Sequence, residues 1–203
     1  MLYINPDNPQ PRLIKQAADA LKQGAVICYP TDTVYGIGCD IYNQKAVKRI
    51  YQLKRRPKNK PFSFMCSGLK NVSEYCYLSN IAYRLMKKSL PGAYTFVLPA
   101  MKIVPKIMMS KQKTVGIRVP DNKICQDLVE ALGNPILNTS ATMEDGEPAT
   151  QAYEVEEQFG SQIDIIIDSG TVTQPSLSSV ISLVGDEAVV LREGKGNTSL
   201  FYQ

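Results

Sequence analysis

The chain has 203 residues, 44% of them hydrophobic, with 23 Lys and Arg against 19 Asp and Glu, and no histidine. That much apolar material suffices for one domain with a sizeable core. The missing histidine excludes Ser-His-Asp and Cys-His machinery and the usual zinc sites, whereas a formal net charge of +4 permits a polyanionic partner without requiring one.

No apolar run reaches the roughly 20 residues that span a bilayer, and the opening MLYINPDNPQPR lacks a signal peptide's basic-then-apolar order, so a cytoplasmic protein is expected. Pro11, followed by Leu13, Ala17, Ala20 and Leu21 and then Gly24, predicts an amphipathic helix with a proline start and a glycine stop. AVICY, residues 25–29, predicts a buried strand, and PTDTVYGIG, residues 30–38, a polar two-glycine loop after it. Ligands of open α/β sheets sit where strands end, which makes this loop a candidate site. Gln44 to Lys54 carries apolar residues at helical spacing and Pro57 closes it. FSFMC, 62–66, predicts a strand, followed by two helical stretches up to Lys88, a turn at Pro91-Gly92 and the strand YTFVL, 94–98.

In the second half the pattern predicts a strand TVGIRV at 114–119, a helix from an Asp121 cap through Leu132, and a strand PILNT at 135–139. A polar loop, SATMEDGEPAT, precedes a helix from Ala152 to Phe159, the buried strand IDIIID at 163–168, and a last pair near 180–184 and 188–192. The alternation argues for an α/β sheet with helices packed on it, without internal repeats.

Neither a P-loop nor G-x-G-x-x-G occurs, so phosphate binding falls to side chains. Lys54, Arg55, Arg56, Lys58 and Lys60 form a basic cluster of guanidinium and ammonium groups suited to phosphate oxygens; the alternative is that they complement a helix C-terminus and face water. Arg118 and Arg192 each end an apolar strand, where an arginine either snorkels or points at a ligand. Ser140, Ser176, Ser178 and Ser179 sit at strand edges. Asp32, Asp40 and Glu144-Asp145 could contact magnesium but read as turn caps, so no protein-bound metal site is expected. The five cysteines, 28, 39, 66, 76 and 125, never form C-x-x-C and read as small buried hydrophobes.

Residues 29–61, YPTDTVYGIGCDIYNQKAVKRIYQLKRRPKNKP, resemble the signature of the YrdC/YciO family: P-T-[ED]-T-x-Y-G-L, then a helix ending K-x-R. The likeness continues through PGAYTFVL (91–98), TVGIRVP (114–120), NTSA (138–141) and LREG (191–194), and so covers nearly the whole chain. It implies a single YrdC-like domain over residues 1–203, with a twisted open mixed sheet, packed helices and a basic concave face. Family members of known activity are threonylcarbamoyl-AMP synthases, which join L-threonine, bicarbonate and ATP and release pyrophosphate for tRNA threonylcarbamoyladenosine formation. Such chemistry needs positioning and charge neutralisation rather than histidine. By the resemblance, Thr31, Thr33 and Tyr35 line the threonine and carbamate pocket and Arg118 clamps the threonine carboxylate. Lys54 and Arg56 hold the phosphates of ATP, which magnesium accompanies in the family's chemistry, and Thr95, Ser140, Thr142, Ser178 and Arg192 complete the nucleotide site. Synthases usually carry S-x-N where this chain has Ser140-Ala141-Thr142, and GCDI, FSFMC and PGAYTFVL are closer to the YciO branch. Two alternatives stand beside synthesis: a YciO-type protein that binds double-stranded RNA or tRNA without synthase activity, and an ATP-using carbamoylation of another amine.

Overall fold

Apolar spacing and polar caps set the helices. A computed structural model describes residues 1–203 except Lys58, Asp186 and Gln203. Helix α1 (Pro11–Lys22) buries Ile14, Ala17, Ala18 and Leu21 on one stripe, with proline in its first turn. In α2 (Gln44–Leu53) the Asn43 side chain accepts from the Ala46 N–H at 3.0 Å. α3 (Leu69–Tyr75) and α4 (Asn80–Ser89) are the two helical stretches expected before Lys88. α5 (Lys123–Leu132) starts one residue later than expected: Asn122, not Asp121, is its cap, accepting from the Cys125 N–H at 3.0 Å. α6 (Ala152–Phe159) opens on a capping box of Gln151 and Glu154.

Among the described residues ten strands follow the apolar runs: β1 (Leu2–Tyr3), β2 (Ile27–Tyr29), β3 (Gly36–Gly38), β4 (Ser63–Met65), β5 (Tyr94–Pro99), β6 (Thr114–Arg118), β7 (Ile136–Ser140), β8 (Ile165–Asp168), β9 (Ser179–Ser182) and β10 (Val189–Arg192). Two were not expected. β1 is too short to carry a pattern, and β3 occupies the end of the segment read as a loop, its two glycines masking the alternation of a strand. The strands form one mixed sheet in the order β1-β8-β2-β3-β7-β4-β6-β5-β9-β10, with β2–β8, β4–β6 and β5–β9 parallel and β2–β3, β3–β7 and β5–β6 antiparallel.

Period-two alternation divides the core between two faces. Ile37, Phe64, Phe96, Ile117, Leu137 and Ile181 pack with α2, α3, α4 and α6. Ile27, Tyr29, Met65, Ile136 and Ile167 pack with α1 and α5. This one pair of helices covers only part of its face, and strand positions left uncovered line a cavity. Among the described residues no helix is long and apolar enough to cross a membrane.

Candidate functional site

A cavity of about 400 Å³ opens over β7, β4, β6, β5 and β9. Strand register fixes its floor. Asn138 pairs with Ser63 across β7 and β4, and Gly116 pairs with Val97 across β6 and β5. Thr95 pairs with Val180 across β5 and β9. Ser63 and Gly116 keep the middle of the floor low: a Cβ on Gly116 would lie 3.1 Å from Ser63 Cβ and 3.3 Å from Thr95 Cγ2. Arg56, Arg118 and Arg192 reach the cavity from three elements, and none of its lining residues is acidic.

Arg118, last residue of β6, is 5% exposed. Its Nη2 donates to Asp32 Oδ1 at 2.9 Å and to Thr33 Oγ1 at 3.1 Å, while its Nε is enclosed with no partner. Its Nη1 also has no partner among the described residues but is not enclosed, and an open guanidinium donor at a cavity wall is a site for an anion's oxygen. The loop that meets it is held by its own hydroxyls: Thr31 Oγ1 and Thr33 Oγ1 are 2.8 Å apart, and Thr31 Oγ1 donates to the Val34 carbonyl and accepts from the Thr33 N–H. Lys195 Nζ donates to the Asp32 carbonyl at 2.6 Å, bracing the loop from the C-terminal side.

The basic cluster at the end of α2 divides. Arg56 stacks over Phe62, 4.7 Å to the ring centroid, and donates from Nε to the Lys60 carbonyl and from Nη2 to the Pro61 carbonyl. Lys54 Nζ donates to the Ser140 carbonyl at 3.1 Å, which holds its ammonium beside the cavity wall. Burial, and then the charge of Arg56, lower the Lys54 pKa; burial lowers that of Arg56. Lys58 lies outside the described residues. On the opposite side Arg192 donates from Nη2 to the Ser178 carbonyl at 2.7 Å, and Ser178 Oγ is 2.8 Å from Thr95 Oγ1. Burial and the nearby charge of Arg118 lower the Arg192 pKa.

Thus Arg56, Thr95, Arg118, Ser140, Ser178 and Arg192 share one cavity, with Lys54 and Thr33 one hydrogen bond behind its wall. Tyr35 and Thr142 are not among the lining residues. Tyr35 is fully buried and its hydroxyl donates to the Gly170 carbonyl at 2.8 Å; burial raises its pKa to about 12. Thr142 pairs in a bridge with Pro148. Asp32 answers Arg118, and Asp40 caps a turn by accepting from Tyr42 N–H and Asn134 Nδ2. All five cysteines are buried and free, their thiols raised by burial, Cys76 to about 12. Sequence reasoning missed Ser63, Phe62 and Asn138. The last was legible in principle, because it sits two residues before Ser140 on one strand and so shares its face.

A family model described as Telomere recombination, Sua5_yciO_yrdC, matches residues 19–194. The chain belongs to the Sua5/YciO/YrdC family. It is 44% identical over 202 residues to an uncharacterized protein of Haemophilus influenzae, covering 98% of this chain and 97% of that one. The uncharacterized protein YciO of Escherichia coli K12 is 43% identical over 201 residues with the same coverage. Threonylcarbamoyl-AMP synthase of Vibrio vulnificus is 32% identical over 157 residues, 76% of this chain and 84% of that one. Among solved structures, E. coli YciO matches with a TM-score of 0.92 over 98% of both chains, and Pyrococcus abyssi Sua5 complexed with L-threonine with a TM-score of 0.88 at 32% identity. That match covers 96% of this chain but 58% of the Sua5 chain.

Proposed function

We propose that this chain is a threonylcarbamoyl-AMP synthase: it joins L-threonine, bicarbonate and ATP into threonylcarbamoyl-AMP, releasing pyrophosphate and water. The observation that carries the reading is the acid-free cavity with three arginines, one of them, Arg118, nearly buried in its wall. The similarity to a Sua5 complexed with L-threonine supports threonine as the amino acid. The threonine amine and bicarbonate condense to a carbamate with loss of water; a carbamate oxygen then attacks the α-phosphorus, and pyrophosphate leaves. Arg118 holds the threonine carboxylate beside Thr31 and Thr33. Lys54 and Arg56 neutralise the phosphates, while Thr95, Ser140, Ser178 and Arg192 seat the nucleotide. Tyr35 acts by holding the loop through Gly170, and Thr142 by shaping the turn after Ser140. Magnesium enters on the nucleotide, because no carboxylate lines the cavity to receive it. Such a site works by positioning and neutralising charge, and Arg118 gains strength from the enclosure around it.

The test is pyrophosphate release from ATP with bicarbonate and magnesium, with and without L-threonine. Threonine-dependent release that Lys54→Ala or Arg56→Ala lowers supports the reading. No release from folded protein overturns it.

One further observation favours a second reading, RNA binding without synthesis. Between Ile41 and Pro120 the only carboxylate is Glu74, yet this stretch carries most of the 23 Lys and Arg. Among the described residues only Arg49 and Arg118 of this stretch have a carboxylate within 4 Å. Exposed Lys70, Lys87, Lys102 and Lys106 belong to this stretch, whose excess of cations suits phosphates. This reading expects RNA affinity that falls steeply with salt and no dependence on threonine.

A further inference from the structure

Asn138 is 5% exposed and lies in the cavity floor, pointing from β7 on the same side as Ser140. Its Oδ1 accepts from the Tyr29 hydroxyl at 2.9 Å. Tyr29 is fully buried, and desolvation holds its phenol well above the ordinary range, so it remains a donor. Among the described residues the only other acceptor it bonds is the Leu137 carbonyl at 3.4 Å. With the amide oxygen turned to Tyr29, the Nδ2 of Asn138 is turned the other way. It has no hydrogen-bond partner among the described residues, and it is not enclosed either, since Arg118 Nε is the only fully enclosed unpartnered side-chain polar atom among them. An almost buried amide with an open N–H₂ therefore faces the cavity.

The surrounding sequence makes room for this pair. A Cβ on Gly36 would lie 3.0 Å from both Asn138 Oδ1 and the Tyr29 ring, and one on Gly38 would lie 2.7 Å from the Tyr29 hydroxyl. Both glycines of the Y-G-I-G stretch are thus matched to the Tyr29–Asn138 hydrogen bond as well as to the strand they form. Ser63 Oγ donates to the Asn138 carbonyl at 3.1 Å and fixes the backbone from the neighbouring strand.

We infer that Asn138 is a ligand-binding residue of this cavity, aimed by Tyr29, and that its Nδ2 donates to a negatively charged oxygen of the bound reactants. It supplies from within β7 the amide that the chain lacks at Thr142. The oxygen belongs either to the amino acid's carboxylate or to a nucleotide phosphate, and the two are separable by experiment. The inference rests on the synthase reading above.

Calorimetric titration with L-threonine alone and with magnesium-ATP alone forms the two arms, on the parent protein, Asn138→Asp and Tyr29→Phe. Asp keeps the acceptor for Tyr29, replaces the donor by a second oxygen and adds a negative charge that the cavity arginines face, so Asn138→Ala, which removes the donor without adding charge, is titrated beside it. Loss of one charge-assisted hydrogen bond predicts at least about tenfold weaker binding in the arm that carries the oxygen. Tyr29→Phe, which frees the amide to turn, should weaken the same arm by about threefold. Weakening of the same arm by both Asn138→Asp and Asn138→Ala is the expected result, and weakening by Asn138→Asp alone, which charge repulsion explains, overturns the assignment. Parent-like binding of both ligands by the folded Asn138 variant overturns the assignment while leaving the synthase reading intact. Binding of neither ligand by the parent overturns that reading and this assignment with it.

Discussion

Removing Asp32 should expose how much of the fold depends on the pair it makes with Arg118. The two side chains are 10% and 6% exposed, 2.9 Å apart, and Asp32 Oδ2 also accepts from the Asp121 N–H at 3.2 Å. In Asp32→Ala the guanidinium keeps one hydroxyl, that of Thr33, and its Nε already has no partner. Breaking a buried pair from one side leaves an uncompensated charge, and the loss is about 3 kcal/mol. With a urea m-value of about 2 kcal/mol/M for a chain of this size, the midpoint should fall by about 1.5 M. Arg118→Met removes the charge itself, and the double variant should recover part of the loss, giving a coupling of about 2 kcal/mol in a double-mutant cycle. Urea melts of the parent, both single variants and the double variant provide the measurement. Additivity within about 0.5 kcal/mol would refute the argument that the aspartate's main role is to neutralise and orient Arg118.

Gly38→Ala should destabilise by about 3 kcal/mol, because the added Cβ meets the Leu137 carbonyl on the paired strand; thermal unfolding reads this directly. Phe62→Leu keeps most of the volume beneath Arg56 but removes the aromatic face, and on the proposed synthase reading should raise the KM for ATP about two- to fivefold, with kcat unchanged. Asn122→Ala should lose about 1 kcal/mol as a cap of α5, whereas Asp121→Ala should lose much less; chemical denaturation separates the two. The thiol of Cys76, raised to about 12, stays protonated at pH 8, so the native protein should resist iodoacetamide there; rapid labelling at Cys76 seen by mass spectrometry would contradict its burial.

Most strands were legible because each is a short apolar run bounded by turn residues, and the helices because their caps and apolar spacing agree. Register and partner choice were not. That Ser63, Thr95, Arg118, Asn138 and Arg192 converge depends on the order β7-β4-β6-β5-β9-β10, which joins segments far apart in the chain. Nothing local to Arg118 indicates that Asp32 and Thr33 will stand beside it. Parity explains the rest: in β7, Asn138 and Ser140 face the cavity while Leu137 faces the other core, a distinction that period-two alternation allows once a strand is known but cannot locate without its neighbours. The mild net charge likewise concealed its distribution, since a total says nothing about where the carboxylates are placed.

The sheet order also bears on how the chain folds as it is made. β8 lies between β1 and β2, which precede it by most of the chain's length. At a synthesis rate of about 5–20 residues per second, one edge of β2 waits on the order of ten seconds for its partner to be made. During that interval Ile27, Cys28 and Tyr29, all fully enclosed in the finished protein, have no neighbour on that side. A nascent chain stalled before Ile165 is consequently the species that holdase chaperones should recognise, and one stalled after the whole of β8 has emerged should be markedly less so.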